Sequence, residues 1–139
     1  MGADSRAAML ATRSIKTTSK KWAIETAISM VDLTTLEGAD TPGKVRALCS
    51  KAVRPDPTDP TVPSVGAVCV YNDMVAIART HLDAIGGKHV PVAAVSTAFP
   101  SGRASMEVKI QDTQDAINAG AGEIDMVIDR GAFLAGKYG

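Results

Sequence analysis

The chain has 139 residues, 45% of them hydrophobic and only 4% aromatic, which allows one aliphatic core and one domain or part of one. Lys plus Arg and Asp plus Glu each total 15, so the balance carries no general attraction for nucleic acid or an anionic membrane surface, and neither is expected as a partner. No apolar run approaches the roughly 20 residues that span a bilayer, and Ala7 to Ala11 is too short for a signal-peptide core.

Cys49 and Cys69 are the only cysteines and belong to no CxxC pair, which fits free thiols in a reducing, cytoplasmic setting. The start MGADSR misses the myristoylation pattern because Arg6 stands where Ser or Thr is required. Residues 1–19 are rich in Ser, Thr, Arg and Lys with Asp4 as the single acid, and read as a flexible N-terminal extension; a transit segment is the competing reading.

Residues 20–139 alternate helical and strand periods. A short leading helix over Lys20 to Ser29, with Trp22 as its anchor, runs into a first strand at Met30-Val31-Asp32-Leu33. Thr41-Pro42 then supplies a cap and a first-turn proline, and Val45, Leu48, Cys49 and Ala52 predict a helix from Pro42 to Val53. Pro55, Pro57, Pro60 and Pro63 rule out helix or central strand between Arg54 and Ser64. A second strand is expected at Val65 to Val70, followed by a helix marked by Met74, Ala78, Leu82 and Ile85 and stopped at Gly86-Gly87. Val90 to Ser96 forms the third strand, and Met106, Ile110, Thr113 and Ile117 mark the covered face of the next helix, which ends at Gly120. Glu123 to Ile128 is a fourth strand, with a further helix beginning at Ala132-Phe133-Leu134. This order fits an open doubly wound sheet or half of a (β/α)8 barrel; periodicity does not separate the two, and length alone favours the open sheet.

Strand side chains alternate faces, so Asp125 shares a side with Glu123 and Val127, opposite Ile124, Met126 and Ile128. The same count places Asp32 opposite Val31 and Leu33, so the first and fourth strands aim carboxylates into one space. A buried carboxylate needs a cation or several donors, or it takes up a proton. Each Asp could instead cap the turn that follows its strand. Lys44, Lys51, Lys88, Lys109 and Lys137 all fall in expected helices or loops. His81 and His89 stand apart from other ligands, so no metal is expected. Gly86-Gly87 follows a helix and Ser101-Gly102 lacks a phosphate-loop pattern, so no nucleotide cofactor is expected either. Cys69 has no activating histidine and reads as a small buried residue.

Four runs, taken in order, are similar to deoxyribose-phosphate aldolase: Met30-Val31-Asp32-Leu33-Thr34-Thr35-Leu36, Ala67-Val68-Cys69-Val70-Tyr71, Ala98-Phe99-Pro100-Ser101-Gly102, and Gly122-Glu123-Ile124-Asp125-Met126-Val127-Ile128. The resemblance covers the chain from about Lys20. It implies the first half of a (β/α)8 barrel in place of the open sheet, and a cofactor-free class I aldolase that interconverts 2-deoxyribose 5-phosphate with glyceraldehyde 3-phosphate and acetaldehyde through a lysine Schiff base. By that resemblance Asp125 matches the proton-shuttling carboxylate and Asp32 a second carboxylate supporting the relay, while Cys69 and Thr34 line the substrate pocket. The Schiff-base lysine, the lysine that lowers its pKa and the phosphate loops belong by the same resemblance to later strands, beyond Gly139.

A barrel cut after its fourth strand is expected to expose two strand edges and the inward residues Met30, Val68 or Cys69, Val92, Ala94 and Val127. Such a chain should be inactive alone and require either a C-terminal half-barrel or a second copy of itself. A non-catalytic, self-associating half-barrel with a structural or binding role is the alternative.

Overall fold

The computed structural model describes residues 2–138. The elements in chain order are α1 (Ala3–Ala11), α2 (Thr17–Ser29), β1 (Asp32–Thr34), α3 (Pro42–Val53), β2 (Ala67–Val70), a 3-10 turn (Asn72–Met74) leading into α4 (Val75–Ala84), β3 (Val92–Ser96), α5 (Met106–Asn118), β4 (Glu123–Met126) and α6 (Arg130–Leu134). The strands are all parallel and lie in the order β1-β2-β3-β4. That sequential order, with helices between neighbours, is the first half of a (β/α)8 barrel and not a doubly wound sheet.

The helices form where local chemistry favours them. Thr41 accepts a hydrogen bond from the Lys44 amide at the start of α3, directly before Pro42. Ser105 does the same for Val108 in α5, and Gly120, at φ +102, takes the left-handed conformation that closes this helix. The proline-bearing stretch between α3 and β2 is neither helix nor strand, as its fixed φ angles require.

The main core lies between the sheet and the three helices outside it. Val45, Cys49 and Ala52 of α3, Val75, Ala78 and Leu82 of α4, and Ala116 of α5 pack against Val68, Val70, Val92 and Ala94. Val92 and Ala94 were expected on the inner face; the register Cys69↔Ala93 and Val95↔Asp125 puts Ala93 and Val95 there instead, because a one-residue step along a strand reverses the face. The inner set Ala67, Cys69, Ala93 and Val95 is buried, with Leu36, Tyr71 and Phe99 packed around it. Their small size lets neighbours on the curved sheet close over them, so only the outer strands β1 and β4 present an open inner surface.

Other expectations also give way. Residues 3–11, read as part of a tail, form a helix that buries nothing, and α2 begins at Thr17, ahead of Lys20. Trp22 is 68% exposed and anchors nothing; Ile28 is the α2 side chain that reaches the core. Met30 caps α2 and is exposed, not part of a strand. On α5 the expected covered face is open, with Met106 65% and Ile110 62% exposed, whereas Ala116 is buried. Sequence period marks which residues are apolar, but a neighbouring element must cover them, and none does on the outer side of β4 among the described residues.

The loop after β3 presses on the end of β4. Gly102 has φ +71, and a Cβ there would clash with the Ile128 carbonyl oxygen. Gly102→Ala is therefore expected to destabilise the fold by about 2 kcal/mol, measured by urea unfolding. Gly38→Ala, where a Cβ meets nothing within 4 Å, should change stability by less than about 0.5 kcal/mol. Equal effects would mean that the loop does not pack on β4 as described.

Candidate active site

The concave face of the sheet carries the four residues singled out from sequence. Asp32 and Thr34 lie on β1, Cys69 on β2 and Asp125 on β4, all with side chains on the side away from α3, α4 and α5. Thr34 is paired with Cys69, and Asp32 with Ala67, one step nearer the strand beginnings. Both carboxylates are exposed, unlike the buried pair anticipated, because among the described residues no element faces the concave side of β1 and β4.

Cys69 and Asp125 sit on strands separated by β3, a gap of about 10 Å along a flat sheet. On this curved sheet the thiol donates a hydrogen bond to Asp125 Oδ2 at 3.4 Å. Cys69 is level with Ala93 and Asp125 with Val95, so the contact crosses β3 on the diagonal. Asp125 Oδ1 has no protein hydrogen-bond partner among the described residues, so the carboxylate is oriented through one oxygen and open at the other. Thr34 Oγ1 donates to the Asp32 carbonyl at 2.8 Å, holding the end of β1.

Burial, reinforced by the hydrogen bond to Asp125 and its negative charge, pushes the Cys69 thiol up to about 12 from 9.0; Thr34 opposes this and Asp32 adds to it. Cys69 is thus a neutral thiol at physiological pH and not a nucleophile. The unfolded thiol ionises near 9.0, so between that value and about 12 the unfolded chain releases a proton that the folded chain keeps. The contribution of this group to stability is complete below pH 9.0 and declines as pH rises through that window.

A second group of polar residues stands at the same end of the sheet. Asn72 donates from Nδ2 to both the carbonyl and the carboxylate of Asp112, and Asp112 Oδ2 accepts from the Ala98 amide at 3.2 Å. A cavity of about 600 Å³ opens beside them, lined by Tyr71, Asn72, Val95, Phe99 and Asp112. Tyr71 and Phe99 meet edge to face with ring centroids 6.2 Å apart. Asn72 and Asp112 belong to no sequence motif; the fold brings them together by setting the turn after β2 against α5. Among the described residues no cluster of His, Cys, Asp and Glu is arranged to hold a metal ion. His81 and His89 instead contact Ser50 and Ser64 at 3.0 and 3.1 Å. No helix among the described residues is long and apolar enough to cross a membrane.

Parallel βα units in sequential order, with Asp32 and Asp125 on the concave face, define a half-barrel of the (β/α)8 class. The chain matches the N-terminal part of the deoxyribose-phosphate aldolases in both sequence and fold. It is 34% identical over 134 residues to deoxyribose-phosphate aldolase of Homo sapiens, covering 88% of this chain and 42% of the relative. To that of Mus musculus it is 37% identical over 139 residues, covering 92% and 42%. The chain thus spans about two fifths of the length of these curated relatives. Among solved structures, the tetrameric deoxyribose-phosphate aldolase from Aeropyrum pernix superposes with a TM-score of 0.64 at 25% identity, covering 77% of this chain and 41% of that one. A protein described as QR15, an aldolase, gives 0.67 at 25% identity, covering 80% and 44%. No family model matches the chain.

The thiol reports the carboxylate beside it. Asp125→Asn should lower the Cys69 pKa and raise its alkylation rate at pH 9 severalfold, measured by peptide mapping that distinguishes it from Cys49. Asp32→Asn should produce a smaller rise. An unchanged rate in Asp125→Asn would mean that the thiol and carboxylate do not meet.

Proposed function

We propose that this chain supplies the proton-transfer half of a class I aldolase site acting on 2-deoxyribose 5-phosphate, and that it turns over no substrate until a lysine-bearing half closes the barrel. The observation that carries this reading is the Asp125 carboxylate, held through Oδ2 by the Cys69 thiol and open at Oδ1 on the concave face. Active sites of this fold class gather at the C-terminal ends of the strands, where Thr34, Cys69 and Asp125 lie.

Attack of a lysine amine on the substrate carbonyl gives a carbinolamine whose hydroxyl must leave as water, which requires a proton. Cleavage of the carbon–carbon bond then requires removal of a proton from the sugar hydroxyl and its return to carbon. Asp125 Oδ1 is placed to give and take these protons, work that contributes roughly 10²–10⁴ in rate. Asp32, across the concave face, supports the relay, while Thr34 and Cys69 form the floor of the pocket. The neutral thiol orients the carboxylate through the hydrogen bond to Oδ2.

The amine must come from outside this chain's sheet. The strands β1 to β4 carry no lysine, and Lys44, Lys51, Lys88, Lys109 and Lys137 lie on helices or loops. A solvated lysine, with a pKa near 10.4, is mostly protonated at neutral pH and cannot form the Schiff base efficiently. The iminium itself draws electrons from the cleaving bond, so the reaction calls for no cofactor.

The free edges of β1 and β4 also fit a second reading, a non-catalytic half-barrel that pairs with its own copy. The test mixes the purified chain with a separately produced polypeptide carrying the later strands of a related aldolase. Acetaldehyde release from 2-deoxyribose 5-phosphate should appear only in the mixture, with borohydride trapping substrate on the added half. In that mixture Asp125→Asn should lower turnover about 100-fold or more, and Asp32→Asn less. Turnover by the chain alone would overturn its assignment as an incomplete site. Co-elution of the two halves without trapping or turnover would overturn the aldolase reading, and elution of the chain as its own dimer, with no complex in the mixture, would favour the self-paired half-barrel.

A further inference from the structure

The backbone between β3 and β4 departs from ordinary geometry at two consecutive residues. Thr97 and Ala98 have φ of 64° and 63°, in the left-handed region where a Cβ crowds the backbone and a β-branched side chain is a strong outlier. This conformation turns the Thr97 side chain toward β4. Its hydroxyl accepts a hydrogen bond from the Val127 amide at 2.8 Å and stands 2.7 Å from the Val127 carbonyl oxygen. The single hydroxyl proton serves either that oxygen or the Ser96 carbonyl, 2.6 Å away.

The position of this contact gives it a consequence. Among the described residues the paired register of β3 and β4 ends at Ser96↔Met126, the Val127 amide lies 3.4 Å from the Ser96 carbonyl oxygen, and β4 has one neighbour in the sheet. The backbone just downstream of Asp125 is tied to the end of β3 by the bonds that reach Val127. Val127 follows Asp125 by one strand repeat, so fixing its amide plane fixes the pitch of the strand at Asp125. Asp112, held by Asn72, accepts from the Ala98 amide and braces the left-handed pair from the other side.

We propose that Thr97 is a positioning residue for Asp125: its hydroxyl extends the β3–β4 ladder beyond Met126 and keeps the carboxylate against Cys69. The left-handed backbone at Thr97 and Ala98 is what aims that hydroxyl. Its catalytic importance rests on the reading of Asp125 as the proton-transfer group, whereas its geometric action does not.

The test uses the full chain and reads Cys69 alkylation at pH 9 by peptide mapping, with circular dichroism to confirm folding. Thr97→Val, which removes the hydroxyl, should raise the alkylation rate about threefold as Asp125 moves off the thiol. Thr97→Gly removes the same hydroxyl while accommodating the left-handed φ, and should give the same rise even if the valine variant folds poorly. Thr97→Ser should match the unsubstituted chain. In an Asp125→Asn background Thr97→Gly should add nothing, because an effect exerted through the carboxylate disappears with it. An unchanged rate in Thr97→Gly, or an equal rise in the Asp125→Asn background, would overturn the proposal. Full turnover by Asp125→Asn in the complemented enzyme would overturn the catalytic reading alone, leaving the thiol result to decide the clamp.

Discussion

Parallel strands bury both faces, because their runs of small apolar residues have no polar side to offer water. In this chain α3, α4 and α5 cover one face, and the other is closed only at its centre, where Ala67, Cys69, Ala93 and Val95 are small enough for a curved sheet to shield them. The remaining surface features follow from that imbalance. The inner positions of β1 and β4 are exposed and polar, and both strands have a free edge. Beyond β4 the same lack of cover leaves an apolar groove of about 420 Å³, bounded by Met106, Ile110, Met126 and Ile128.

The surroundings of Asp125 reflect the same asymmetry. Asp125 remains open at one oxygen because it sits on an outer strand, yet it is oriented because the inner curvature brings the Cys69 thiol across β3 to its other oxygen. The burial that makes the thiol a neutral donor also makes it a poor nucleophile. Around these residues the strand ends are tied together by side chains where the ladder stops: Thr97 to Val127, and Asn72 through Asp112 to Ala98. Asp40 plays a comparable part after β1, accepting from Thr35 and Glu37 and pairing with Lys44, whose ammonium holds its carboxyl below the usual range.

Much of this was legible in the chain. Thr41-Pro42 and the Val45, Cys49, Ala52 spacing define α3 to the residue, and strand alternation puts Asp32 and Asp125 on one face as observed. Periodicity does not reveal the inner partners of β3, since a uniformly apolar run such as Val92 to Ser96 has no polar face to set its phase. The exposure of Trp22 and of the Met106, Ile110 face was equally hidden, because apolarity records what can be buried and not what covers it. The Thr97 clamp and the Asn72–Asp112 link depend on a left-handed backbone at two residues that are not glycine, for which local sequence carries no signal.

The free edges of β1 and β4 are tested most directly by hydrogen–deuterium exchange, on the chain alone at low concentration and again with the later strands of a related aldolase added. In the chain alone, amides of β2 and β3 should be protected while those on the outward edges of β1 and β4 exchange rapidly. Addition of the second half should slow exchange at both edges together. Edges already protected in the isolated monomer, or unchanged after addition, would contradict a half-barrel that completes its sheet with a partner.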